Sequence, residues 1–89
     1  MVERDITIQN KLGLHARASA KMAAEASRFA SDITLNKDGV AVNCKSIMGI
    51  MMLAACKGTA LTLRATGDDA QAAVDALSAL VNDKFGEGE

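Results

Sequence analysis

His15 is the only histidine among 89 residues, and it stands in the run Gly13-Leu14-His15-Ala16-Arg17. A neutral imidazole keeps one ring nitrogen with a free lone pair near pH 7. A helix that begins just after it offers unpaired backbone N–H groups to an anion. Here those would be the N–H groups of Ala16 and Arg17, and Arg17 adds a planar guanidinium able to make charge-assisted hydrogen bonds. Nucleophile, anion hole and cation in one short loop suit a histidine that accepts a phosphoryl group and hands it on. A unit-charge pair at contact near a surface is on the order of 4 kcal/mol before desolvation and side-chain ordering are subtracted. The net gain is much smaller, which fits a carrier that must also release its cargo. A lone histidine is more often a surface or capping residue without chemistry. The glycine that frees the turn and the neighbouring arginine reverse that preference.

Ser46 is the second candidate. A serine ahead of an apolar helical run is a natural N-cap, contributing about 1 kcal/mol. Its hydroxyl also suits regulatory phosphorylation, which would add about −1.5 to −2 charges to the surrounding surface. The two readings are compatible, and the cap is the more secure. The run that follows, Ile47 to Cys56, is apolar nearly all round and holds three of the five methionines, Met48, Met51 and Met52. A helix on one sheet buries one face, so part of Ile47, Met48, Met51 and Met52 is expected to stay exposed. Flexible, polarisable methionine there suits docking to several unrelated partners. Gly49 within it predicts a close approach of backbone or partner.

The elements that position these residues follow from hydrophobic period. Val2 to Gln9 alternates, with Val2, Ile6 and Ile8 on one face, as a half-buried strand does. Ala16 to about Phe29 turns helical, with Met22, Ala23, Ala26 and Phe29 on one stripe. Asp32 to Lys37 alternates again, Asp38-Gly39 is a hairpin turn, and Val40 and Val42 follow. The apolar helix closes at Lys57-Gly58, and Ala60 to Thr66 is a fourth strand with Leu61, Leu63 and Ala65 inward. Asp68 is expected to cap a last helix whose acidic first turn complements the dipole. Ala70, Ala73, Val74, Leu77, Leu80 and Val81 form its stripe. It is expected to stop near Phe85 and leave Gly86 to Glu89 frayed. The order is β-α-β-β-α-β-α, an α+β arrangement with an antiparallel sheet covered by helices on one side.

Composition narrows the function. A chain of this length predicts one domain over residues 1–89. The net charge is −1, there is no Trp or Tyr, and only Phe29 and Phe85 are aromatic, so nucleic acid is not expected as a partner. No apolar stretch approaches bilayer length and the first residues lack signal-peptide features, so neither membrane insertion nor export is expected. Cys44 and Cys56 are expected to be free, partly buried thiols of a reducing cytoplasm. One histidine and two cysteines make a poor metal site, so neither metal nor cofactor is expected. Without a nucleotide loop or substrate pocket, independent enzymatic turnover is not expected either.

Taken together, Gly13-Leu14-His15-Ala16-Arg17, Lys45-Ser46-Ile47-Met48-Gly49 and Lys57-Gly58 resemble the HPr family, histidine-containing phosphocarriers of the phosphoenolpyruvate-dependent phosphotransferase system. The resemblance spans essentially the whole chain. It implies an open-faced β-sandwich with four antiparallel strands in order 1-4-2-3 and three helices on one face. It further implies that Enzyme I, charged by phosphoenolpyruvate, phosphorylates Nδ1 of His15 and that Arg17 stabilises the phosphohistidine. The group then passes to IIA domains or proteins, with the apolar patch of the second helix docking donor and acceptors. In many members a serine placed like Ser46 is phosphorylated by an HPr kinase/phosphorylase. Ala18 departs from the family, which often has Pro in that first turn, and leaves the helix start freer to fray. Parts of the loop and of the segment Asn82 to Gly86 look somewhat like the nitrogen-type carrier, so sugar and nitrogen branches both stay open. A third reading is a binding module switched at Ser46 without transfer. A monomer is expected, because a dimer interface would compete with the docking patch.

Overall fold

The computed structural model describes every residue from Met1 to Glu89. Strands β1 (Val2–Thr7), β2 (Asp32–Lys37), β3 (Val40–Asn43) and β4 (Ala60–Thr66) alternate with helices α1 (Ala16–Ala26), α2 (Ile47–Met52) and α3 (Ala70–Asn82). A 3₁₀ turn over Lys84–Gly86 follows. The sheet is wholly antiparallel, as the period implies, in the order β1-β4-β2-β3 that the resemblance implies. The β2–β3 hairpin closes through Asp38 and Gly39, both in the left-handed region that a tight two-residue turn requires.

Alternation puts one face of the sheet against the helices and the other in water. Ile6, Ile33, Leu35, Leu61, Leu63 and Ala65 are buried, and they share one core with Met22, Ile50, Val74, Leu77 and Val81 from the helices. On the wet face, cross-strand partners pair through their side chains. Arg64 Nε donates to Glu3 Oε2 at 2.8 Å, and Thr62 Oγ1 donates to Asp5 Oδ1 at 2.9 Å. Cys44 is fully buried and Cys56 exposed, both as free thiols. Burial pushes the Cys44 pKa up to about 12.

Four boundaries differ from the sequence-based expectation. Helix α1 stops at Ala26 rather than near Phe29: Ser27 caps it, its hydroxyl donating to the Ala23 carbonyl at 2.7 Å. Helix α2 stops at Met52, not Cys56. Ala54 turns left-handed at φ 49°, and the Ala55 carbonyl accepts the Leu14 N–H at 2.9 Å. Lys37 Nζ takes up the freed Leu53 carbonyl at 2.8 Å. The chain leaves the helix there because it is needed beside the histidine loop.

The third difference lies at α3, where the N-cap is Asp69 rather than Asp68 and the first turn carries no acidic residue. Asp69 makes no capping bond to its own helix. Its carboxylate instead accepts from the Ser31 hydroxyl, from the Ala30 N–H at 2.8 Å and from the Ser31 N–H at 3.0 Å. Those bonds lower the acid's pKa from its ordinary value, the Ser31 hydroxyl first among them.

Fourth, α3 ends at Asn82 and the tail beyond it is anchored, not frayed. Lys84 and Phe85 both adopt left-handed φ, 55° and 56°. Such conformations cost about 1–3 kcal/mol each for non-glycine residues. Burying the Phe85 ring, 1% exposed, returns about 1.5–3 kcal/mol, a sum of the same order. Hydrogen bonds complete the anchorage. Lys21 Nζ donates to the Phe85 carbonyl at 2.6 Å, and the Lys11 N–H donates to the Glu89 carbonyl at 2.7 Å.

Candidate functional site

The loop that carries His15 is set by its contacts with the chain beyond α2. Gly13 has φ 67°, and a Cβ there would lie 2.5 Å from the Ala55 carbonyl oxygen and 2.8 Å from Cys56 Cα. Only glycine tolerates both the backbone conformation and the approach. Leu14 is buried one residue on. The chain then turns into α1 with His15 as N-cap in an extended conformation, its side chain making no capping bond. The ring is thus free of its own helix. The start of α1 is firm despite the absence of proline: Ala18 is fully buried. The Ser19 N–H bonds the His15 carbonyl at 2.9 Å, and the Ser19 hydroxyl bonds the Leu14 carbonyl at 3.1 Å.

The ring is 27% exposed and meets a carboxylate. His15 Nε2 lies 2.5 Å from Glu87 Oε2, whose side chain is only 12% exposed. Glu87 Oε1 accepts from Asn10 Nδ2 at 2.9 Å. The Asn10 hydrogen bond, followed by that of His15, holds the Glu87 acid below its usual range. An ionised carboxylate so placed can only accept a hydrogen bond. Asn10 is itself wholly buried and also donates to the Gly13 carbonyl at 2.8 Å. One amide thereby ties the histidine loop to the tail, while its own carbonyl oxygen is left without a partner.

His15 Nδ1 has no such partner. The ring opens into a cleft of about 620 Å³ whose walls include Lys11, Ala16, Arg17, Glu87 and Glu89. Arg17 is exposed and takes part in none of the chain's ion pairs, so its guanidinium is available to an incoming anion. The N–H groups of the first turn of α1 lack intrahelical acceptors by construction. His15, Ala16 and Arg17 are thus brought together with a lone-pair nitrogen, free donors and a cation around one space.

Ser46 lies outside that cleft, at the head of α2, which packs against α1. Its hydroxyl accepts the Gly49 N–H at 3.0 Å, the cap expected from sequence. A Cβ on Gly49 would stand 3.3 Å from that oxygen, so the close approach foreseen there is to the cap itself. Ile50 is the one buried residue of α2. Ile47, Met48, Met51 and Met52 are all exposed, Met52 to 80%, as the crowding of apolar residues predicts.

Asn10 and Glu87 are the site residues that sequence reasoning missed. Asn10 reads as a strand breaker, and Glu87 falls in a segment expected to fray. The available signal was Phe85, an aromatic residue beyond the helix end in a chain with only two.

Comparison with known proteins bears on this geometry. Residues 2–83 match the family model described as the PTS HPr component phosphorylation site. The chain is 55% identical to phosphocarrier protein HPr of Cupriavidus necator, with all of both chains covered. It is 46% identical to phosphocarrier protein NPr of Shewanella violacea, covering 97% of this chain and 94% of that one. Among solved structures, HPr-C-His of Thermoanaerobacter tengcongensis superposes with a TM-score of 0.95 at 49% identity, over 98% of each chain. A dimer of HPr from the same organism superposes at 0.79, over 98% of this chain and 100% of that one.

Proposed function

Because this chain belongs to the HPr family, phosphocarriers of the phosphotransferase system, we propose that it takes a phosphoryl group from phosphorylated Enzyme I onto Nδ1 of His15. It passes the group to IIA domains or proteins of sugar uptake, as a cytoplasmic relay without turnover of its own. The observation that carries this reading is a histidine with an unpartnered Nδ1 that lines one open cleft together with Ala16 and Arg17. Attack from Nδ1 would deliver negative charge to the N–H groups of Ala16 and Arg17 and to the Arg17 guanidinium. No cofactor enters the step.

The exposed Ile47, Met48, Met51 and Met52 supply the surface through which donor and acceptors dock in turn. Phosphorylation of Ser46 would place a dianion at the head of that patch and displace the hydroxyl from its cap, weakening apolar docking. An HPr kinase/phosphorylase would be its source. The unpaired patch also supports a monomeric working form.

A branch serving nitrogen regulation is the second reading, supported by the match to an NPr. A binding module switched at Ser46 with no transfer step is the third, and His15, Arg17 and an open Nδ1 in one cleft count against it. Intact mass after incubation with Enzyme I, phosphoenolpyruvate and Mg²⁺ tests the relay. One acid-labile phosphoryl group, absent in His15→Ala, is the expected result. No addition, with the same Enzyme I active on another carrier, would sink the relay and favour the switched module. Transfer onward to a sugar-type and a nitrogen-type IIA then separates the branches.

A further inference from the structure

We propose that Glu87, clamped by Asn10, is a positioning residue that selects the tautomer of His15 and so makes Nδ1 the nucleophile. The inference rests on the phosphocarrier reading and adds how this chain chooses between two ring nitrogens. Its elements are the 2.5 Å contact between Nε2 and Glu87 Oε2, the 2.9 Å bond from Asn10 Nδ2 to Glu87 Oε1, and the absence of a partner at Nδ1. An ionised carboxylate only accepts, so Nε2 bears the hydrogen and the lone pair resides on Nδ1.

The same contact follows the ring through transfer. As the Nδ1–P bond forms, the bond from phosphorus to the donor breaks and the donor leaves with the electron pair. The Nε2 hydrogen stays in place, so the neutral imidazole becomes a phosphoimidazolium cation. Glu87 faces that new positive charge. On delivery the acceptor attacks phosphorus, the Nδ1–P pair returns to the ring, and the ring is again neutral. No proton need be gained or lost at His15 in either direction.

Asn10 makes the assignment testable. Its Nδ2 donates both to the Gly13 carbonyl and to Glu87, so its amide orientation is fixed and it can only donate toward position 87. In Glu87→Gln the side-chain oxygen must therefore turn to Asn10, and the amide NH₂ must face Nε2. An NH₂ donor there requires the lone pair on Nε2 and moves the hydrogen to Nδ1. Glu87→Ala only removes the bias. The conservative variant should thus be the more damaging one, the reverse of what loss of packing or charge alone would give.

The experiment is ¹⁵N NMR of the imidazole in the unphosphorylated chain, wild type beside Glu87→Gln and Glu87→Ala, at a pH where the ring is neutral. Enzyme I-dependent phosphorylation rates are measured on the same samples. The expected result is an Nε2–H tautomer in wild type, Nδ1–H in Glu87→Gln and a mixture in Glu87→Ala. At saturating Enzyme I the rate in Glu87→Gln should fall on the order of 10- to 100-fold, and less in Glu87→Ala. An unchanged tautomer in Glu87→Gln, or a rate in that variant equal to or above that of Glu87→Ala, would overturn the proposal. Backbone amide spectra confirm that each variant is folded. Wild-type chain that takes no phosphoryl group from a proven Enzyme I would instead overturn the carrier reading and the transfer role of Glu87 with it. The NMR arm decides the tautomer assignment independently.

Discussion

Three acidic side chains of this molecule, Asp69, Asp75 and Glu87, are held by hydrogen-bond donors, each with a consequence for pH. Asp69 accepts from the Ser31 hydroxyl and from the N–H groups of Ala30 and Ser31, which favours its ionised form in the folded state. Asp75 is held down by Arg4 and Glu87 by Asn10. A carboxyl whose folded pKa is depressed contributes stability above its unfolded value of about 3.9 to 4.3, and that contribution is lost as pH falls through the lower folded value. The thermal midpoint should therefore decline as pH drops below about 4. Asp69→Asn should show a shallower decline, followed by circular dichroism across that range. An identical slope in the variant would mean that Asp69 carries no such linkage. The slope should not vanish, because Asp75 and Glu87 remain.

Elements defined by period were legible in the sequence, and those defined by distant partners were not. The alternation of Ile33 and Leu35 and of Leu61 and Leu63 announces strands, since each face meets a different environment. Asp38-Gly39 announces its turn by backbone conformation, and Ser46 announces its cap by chemistry. Nothing local announces that α2 must end at Met52, because the reason is a bond from the Ala55 carbonyl to Leu14. The same holds for Glu87, whose partners His15 and Asn10 lie 72 and 77 residues away. His15, Arg17 and the exposed methionines were legible because each depends on residue type and neighbours. The turn after α3 was missed because Lys84 and Phe85 adopt a conformation that sequence rules reserve for glycine. The Phe85 ring is the only buried side chain of that turn. Phe85→Ala should cost about 3–5 kcal/mol and release the tail, which chemical denaturation measures. Glu87→Ala should cost less than Phe85→Ala, because it removes the bonds to Asn10 and His15 but no buried ring.

At the scale of the whole molecule, one face of the sheet is left to water while the helices gather the chemistry on the other. Helices α1 and α2 pack side by side, so the His15 cleft and the methionine patch are neighbours on one side of the protein. The two are joined where Gly13 meets Ala55 and Cys56, a backbone-to-backbone joint with no room for a side chain between. On the proposed docking role, that joint acts as a jig. Whatever grips the end of α2 finds the imidazole at one fixed offset and angle, whichever protein it is. Gly13→Ala would force the joint apart and strain a left-handed residue by about 1–2 kcal/mol. Loading by Enzyme I and unloading to a IIA should then fall by similar factors, measured as two separate rates on one variant. A defect confined to one direction would mean that each partner aligns the ring for itself. A shared jig spares successive partners any common ancestry of shape. They need agree only on where the surface is held, because this chain carries the alignment for both.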